Sequence, residues 1–325
     1  MVKVGSLSIS PPLINASCAW TSDINQLQAL FDSPYTGAVT TRTSTLVGFA
    51  EDESHTVAFA SSTISTLNSY GYSPHKLSSY LVWIESILTQ ASESSAKPFI
   101  ISITASDPES MRATIDAIQA LRHKSPRFSQ IAVEFNTSCP NIRGAAPTGY
   151  AFGSLVPLLS VLAEAWRKDD TLTLGLKLPP YVYAGQFAGV LETLRGLSCA
   201  DASGKVRNPI AYFACTNTLG NSLMFADQVG SGASVGSEFA VPTALGGLAG
   251  EPLHALALGN VYTFSKLLKE QADESGLSGI AIVGIGGVTT KEAAVRMKKA
   301  GAVIVGCATL LGKEGVHAFE ILRTE

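Results

Sequence analysis

Charge is what this 325-residue chain has least of. Asp, Glu, Lys and Arg make up 15% of it, and 26 acids against 23 bases leave a net charge of −3. No block of lysines and arginines occurs, which argues against nucleic acid as the main partner. Cysteine is scarce: Cys18, Cys139, Cys199, Cys215 and Cys307 are odd in number and include no CxxC pair. Neither a disulfide framework nor a thiolate metal cluster is expected, and a reduced, cytoplasmic compartment is the default. His55, His75, His123, His254 and His317 never fall at a ligand spacing, so no metal site is expected. No apolar run reaches the roughly 18 residues of a membrane span. The opening MVKVGSLSISPPLINASC lacks the charged-then-apolar order of a signal peptide. Without an internal repeat or a linker, residues 1–325 read as one domain.

Apolar residues, by contrast, are plentiful at 46%. They fall in short runs that alternate with amphipathic stretches. The runs 12-PLINA-16, 37-GAVTT-41, 99-FIISI-103, 130-QIAVEF-135, 172-LTLGLKL-178, 210-IAYFACT-216, 280-IAIVGIG-286 and 302-AVIVGC-307 read as strands. Residues 76–90, 108–124, 153–168, 184–196 and 290–301 carry apolar positions at i, i+3, i+4 and i+7 and read as helices. Strands that are apolar throughout are buried on both faces, as in a parallel sheet covered by helices. Eight of them, most followed by a helix, predict an α/β fold of the (β/α)8 TIM barrel type. An open Rossmann sheet would carry GxGxxG after its first strand, and none follows 12-PLINA-16. Residues 217–250, rich in Gly and Ser, read as an irregular insertion or active-site loop.

In such a barrel the chemistry gathers at the C-terminal ends of the strands. The last two strands end in the glycine-rich runs 283-VGIGGVTTKEA-293 and 303-VIVGCATLLGKEG-315, with 246-GGLAG-250 upstream. Glycine alone permits a tight βα turn, but three such runs point to backbone N–H groups opened toward a phosphate-bearing cofactor. Lys177 sits inside an apolar strand, and a lysine is almost never buried without a partner; there it could face an electron-rich ligand such as a reduced flavin. Asn15, Asn68, Asn136, Asn141, Asn217 and Asn221 fall at strand ends or in adjoining loops. Each alone is an ordinary turn residue; together they suit a planar ring with alternating N–H and C=O groups, such as a pyrimidine. Free cysteine is usually a small buried hydrophobe, which fits four of the five. Cys139 differs, because it lies in the polar loop 136-NTSCPNIRG-144, where a thiol can serve as a general base.

The stretch 136-NTSCPNIRG-144 resembles the N-L-S-C-P-N loop of the class 1 dihydroorotate dehydrogenases. The resemblance continues through 40-TTRTSTL-46, 67-LNSYGYSP-74, 175-GLKLPPY-181, 216-TNTLGNSL-223, 246-GGLAGEPLHALALGNVYTF-264, 283-VGIGGVTT-290 and 306-GCATLLGKEG-315, nearly the whole chain in order. It implies an FMN-containing (β/α)8 barrel that oxidises dihydroorotate to orotate in pyrimidine synthesis, with Cys139 as the base. It also implies a cytoplasmic homodimer with fumarate as electron acceptor and no membrane partner. By match of motif, Arg42, Asn68, Gly71, Asn136, Asn141, Asn217 and Thr218 would hold the substrate. Ala16, Ser17, Thr41, Arg42, Ser102, Asn136, Lys177, Gly247, Gly286, Gly287, Gly306 and Cys307 would hold the flavin. The chain departs from the family's pattern in three places. Arg42 stands where the family has lysine, Tyr70 where it has methionine, and NIRGAAPTG follows the cysteine-proline pair. Arginine is planar and bidentate where lysine is a point charge, so these departures allow an altered ring or ene substrate, slower turnover or another acceptor.

Overall fold

The computed structural model of the protein describes residues 1–92, 97–138, 141, 148–200, 204–231, 236–271 and 275–323. Cys139 lies outside them.

The eight apolar runs become eight parallel strands: β1 (Leu13–Asn15), β2 (Val39–Thr40), β3 (Phe99–Ile103), β4 (Ile131–Asn136), β5 (Leu174–Leu178), β6 (Ile210–Cys215), β7 (Ala281–Ile285) and β8 (Ile304–Cys307). They hydrogen-bond in the order β1-β8-β7-β6-β5-β4-β3-β2, each beside its sequence neighbour. This is the sheet of a (β/α)8 barrel. Its seam lies between β1 and β2, where the ladder is a single parallel bridge, Ile14 opposite Ala38. Asn15 supplies the missing backbone partners. Its Nδ2 donates to Thr40 O at 2.6 Å and its Oδ1 accepts from Thr40 N at 2.9 Å.

Helices α1 (Ile24–Asp32), α2 (Leu77–Gln90), α3 (Pro108–Arg122), α4 (Val156–Lys168), α5 (Ala184–Arg195), α6 (His254–Lys269) and α7 (Lys291–Ala300) surround the sheet. Caps mark several starts: Asp23 accepts from Gln26 N, Asp107 from Ser110 N and Thr290 from Ala293 N. The helical stretch Thr148–Lys168 is long and apolar enough to cross a membrane by length and composition. Its apolar side, with Leu158, Leu159 and Leu162, is buried in the shell between helices and sheet.

The barrel interior forms a second, smaller core of Ile14, Ile100, Ala132, Tyr212, Ala214, Val283 and Ile304. An N-terminal hairpin, Val2–Val4 paired with Leu7–Ile9, adds Val4, Leu7 and Ile9 to it. Burying Leu7 and Ile9 contributes roughly 1.5–3 kcal/mol each.

Residues 217–250 differ from their reading as an irregular insertion. Leu219–Leu223, Val229–Ser231 and Leu245–Gly250 are strands, and with Val57–Ala60 and Ser65–Asn68 they build a five-stranded sheet. All its pairings are antiparallel. Glycine hides this from sequence because it weakens β propensity, yet here it serves close approach: a Cβ on Gly246 would stand 2.5 Å from Asn68 O. Asn68 and Gly247 lie beside the barrel mouth, so this sheet acts as its roof.

Candidate active site

Two adjoining hollows open at the C-terminal mouth of the barrel. The larger spans about 770 Å³ and the smaller about 430 Å³, both counted with the open solvent at their mouths. Ser17, Cys18, Ala19, Tyr70, Lys177, Asn217 and Thr218 line both.

Lys177 stands at their junction. The register of β4 and β5 sets it opposite Asn136, and side chains two apart on a strand share a face. Its Nζ donates to Ser17 O at 3.1 Å, and the residue is buried. One step down each strand come Glu134, Gly175 and Tyr212, paired across β4, β5 and β6. A Cβ on Gly175 would lie 2.0 Å from Tyr212 Cζ. The missing side chain lets the tyrosine cross the barrel and donate its hydroxyl to Glu134 Oε2 at 3.3 Å. Burial raises the pKa of Glu134 above the ordinary carboxylate value, opposed by the Lys177 charge and by the Tyr212 hydrogen bond. Tyr212 is pushed well above its own ordinary value, by burial first and then by the Glu134 charge.

The asparagines meet in two groups. Asn136 Oδ1 accepts from Asn217 Nδ2 at 3.2 Å and from Ser138 N at 3.2 Å, while Asn217 Nδ2 also donates to Ser138 O. Across the smaller hollow, Asn141 Nδ2 donates to Asn68 Oδ1 at 3.1 Å and to Tyr70 O at 2.9 Å. Asn68 Nδ2 in turn donates to Gly247 O at 3.0 Å. These bonds orient four amides before any ligand arrives. Asn15 belongs to the barrel seam instead.

Ala16, Ser17, Asn68, Lys177, Asn217, Thr218, Gly286, Gly287 and Cys307 line the larger hollow. Arg42, Gly71, Asn136 and Asn141 line the smaller. The structure sets Thr41, Ser102, Gly247 and Gly306 behind those walls. Thr41 Oγ1 accepts from Ser102 N at 3.0 Å, and a Cβ on Gly247 would meet Thr218 Oγ1 at 2.3 Å. On Gly306 it would meet Ile285 at 3.0 Å. Gly286 and Gly287 have φ of +126° and +63°, and a Cβ on either would lie 2.6 Å from Ala257 or His254. Conformation and close packing on α6 therefore demand glycine there in their own right. His254 Nδ1 bonds Gly286 O at 2.9 Å from the helix side.

Four residues escaped the sequence reading. Thr43 is a hub, its Oγ1 bonding Ser17 Oγ at 3.1 Å, Ser102 Oγ at 2.9 Å and Asn136 Nδ2 at 3.0 Å. Its place at the end of strand two was the available signal. Thr216 lines the larger hollow with a buried hydroxyl that has no hydrogen-bond partner among the described residues. Cys18 lines both hollows, and burial pushes its thiol up to about 11, so it stays protonated near neutral pH. Glu51, on an exposed stretch with no motif, pairs with Arg42. The guanidinium also lies 5.1 Å from the Tyr70 ring centroid and donates to Gly71 O at 3.4 Å.

A barrel with this site matches the family model for dihydroorotate dehydrogenase over residues 1–325. The chain belongs to the dihydroorotate dehydrogenase family. Membership makes it an oxidoreductase. Among similar curated proteins is "Putative dihydroorotate dehydrogenase A (fumarate)" of Streptococcus equi subsp. equi, 25% identical over 326 residues, covering 99% of this chain and 90% of that one. A protein of Streptococcus pneumoniae serotype 4, "Probable dihydroorotate dehydrogenase A (fumarate)", is 28% identical over 320 residues, covering 96% and 87%. Among solved structures, ligand-free DHODH from Eimeria tenella superposes with a TM-score of 0.69 at 14% identity, covering 97% of this chain and 84% of that one. That likeness concerns the fold alone.

Proposed function

We propose that the protein oxidises (S)-dihydroorotate to orotate in pyrimidine synthesis, with bound FMN, Cys139 as general base and fumarate as final electron acceptor. The observation that carries this reading is the convergence of Asn136, Asn141 and Asn217 on the smaller hollow, with Asn68 bonded to Asn141 from the larger one and Lys177 at their junction. Amide donors and acceptors match the edge of a pyrimidine ring, and the larger hollow fits a flavin. Its polar wall includes the unpartnered Thr216 hydroxyl, an atom that calls for a ligand or water partner. Ala16, Ser17, Lys177, Gly286, Gly287 and Cys307 would hold FMN, with Thr41, Ser102, Gly247 and Gly306 supporting from behind. When bound, FMN supplies the acceptor for the hydride leaving C6.

The chain's residues do the rest. The amides orient the ring, and Thr218 shares its hollow. Lys177 holds positive charge where negative charge develops. The proton leaving C5 needs a base. Cys139 lies outside the described residues; its position in the sequence between Ser138 and Asn141, which are tied to Asn217 and Asn68, supports it as that base. A thiol works as a base once ionised, near an ordinary pKa of ~8.5.

Anaerobic mixing of the flavin-loaded protein with dihydroorotate tests the proposal. Wild type should bleach the flavin absorbance, faster as pH rises. Cys139→Ala should keep FMN and bleach ~10²–10⁴-fold more slowly. Undiminished bleaching in the variant would overturn the base, and no bleaching in wild type would overturn the activity.

We further propose a cytoplasmic homodimer acting as one domain. Leu223 and Leu245, register partners on the roof sheet, and nearby Phe225 are all exposed, which supports a covered face there.

A further inference from the structure

We propose that Glu51 is a specificity-determining residue: it occupies the Arg42 guanidinium in the ligand-free protein, and a ring carboxylate gains Arg42 only by displacing it. The inference rests on the function proposed above and names the substrate feature that the pocket weighs.

Arg42 lines the smaller hollow beside Asn136 and Asn141. A guanidinium offers a carboxylate two forks of parallel N–H groups, Nε with Nη2 or Nη1 with Nη2. Both use Nη2. Here Nη2 donates to Glu51 Oε1 and to Gly71 O at 3.4 Å, so each fork has already lost a member. The Tyr70 ring packs against the guanidinium carbon and holds the plane in place. Arg42 therefore enters the site with its charge matched by a carboxylate of its own chain and its Nη2 shared between that carboxylate and the Gly71 carbonyl.

The pair is unequal. The Arg42 side chain is 8% exposed and that of Glu51 25%. Glu51 comes from an exposed stretch and can swing into water, whereas Arg42 is enclosed. An incoming carboxylate on the ring replaces one carboxylate with another at Arg42, and its net gain is reduced by what Glu51 gave up. A ring without a carboxylate has no use for the fork and leaves the Arg42–Glu51 pair intact. Glu51 thus lowers the preference of the pocket for acidic rings over neutral ones; an ion pair inside a wall acts on discrimination more than on affinity for every ligand.

Calorimetric titration of the flavin-loaded protein with orotate and with uracil, the same ring lacking the carboxylate, separates the two effects. In Glu51→Gln, orotate should bind about tenfold more tightly and uracil within about twofold of wild type; tenfold corresponds to ~1.4 kcal/mol. Glu51→Ala should move the orotate-to-uracil ratio the same way, which guards against one misfolded variant. An unchanged or lowered ratio in both variants overturns the inference. If dihydroorotate still bleaches the flavin while that ratio stays put, only the role of Glu51 falls. If wild type and variants all fail to bind orotate, the proposed activity falls and takes this role with it.

Discussion

Glu134 lies inside the barrel with one carboxyl oxygen facing the Tyr212 hydroxyl and the other without a hydrogen-bond partner among the described residues. An unmade hydrogen bond on a buried acid is costly, and more so when the acid is ionised. Folding raises its pKa, so the folded chain holds that proton more firmly than the unfolded one. Its contribution favours folding at low pH and is lost as pH climbs through the folded value. Glu134→Gln abolishes this titration. Wild type should therefore lose stability against the variant as pH rises from ~4 to ~8, seen as a widening difference in Tm. A constant difference across that range would refute it.

Elements here are held by side chains as well as by ladders. The β1–β2 seam has one backbone bridge, and Asn15 binds both backbone polar groups of Thr40. Asn15→Ala would orphan a buried N–H and a buried C=O, each costing about 1–3 kcal/mol, so denaturant unfolding should show a loss of roughly 2–6 kcal/mol. From sequence, Asn15 is one more strand-end asparagine, since its partner is 25 residues away and no local pattern marks the pairing. The strands themselves are legible, because burial on both faces leaves an unbroken apolar run. The three roof strands within 217–250 are not: they carry glycines, are partly exposed and pair across separations of more than twenty residues. Helices α1 and α6 fall outside the stretches that read as helices in the sequence, although His254–Lys269 buries Ala257, Val261, Phe264 and Leu268. In the site, Lys177 and the clustered asparagines announce themselves by being polar where strands end. Glu51 becomes visible only through its partner, Arg42. Gly286 and Gly287 look like anion-binding residues in sequence, and the structure adds a packing reason of equal force.

For the molecule as a whole, the exposed Leu223, Phe225 and Leu245 set an expectation about assembly. A charge placed in a face covered by a second copy would be buried unpaired, at several kcal/mol. Leu245→Asp should therefore shift the sedimentation mass from dimer to monomer. A wild-type monomer at micromolar concentration would remove the premise.

The roof has a further consequence, in time instead of space. Asn68 and Gly247, bonded across the mouth, are 179 residues apart in the chain. Contacts this distant form late, because a long loop must close before they give any return. A chain leaving the ribosome N-terminus first therefore carries its Val57–Asn68 hairpin with a bare edge until residues near 250 have emerged. The barrel itself closes later still, once β7, α7 and β8 have emerged, so a ligand finds an enclosed site only at the end and ligand uptake is a clock for the completion of folding.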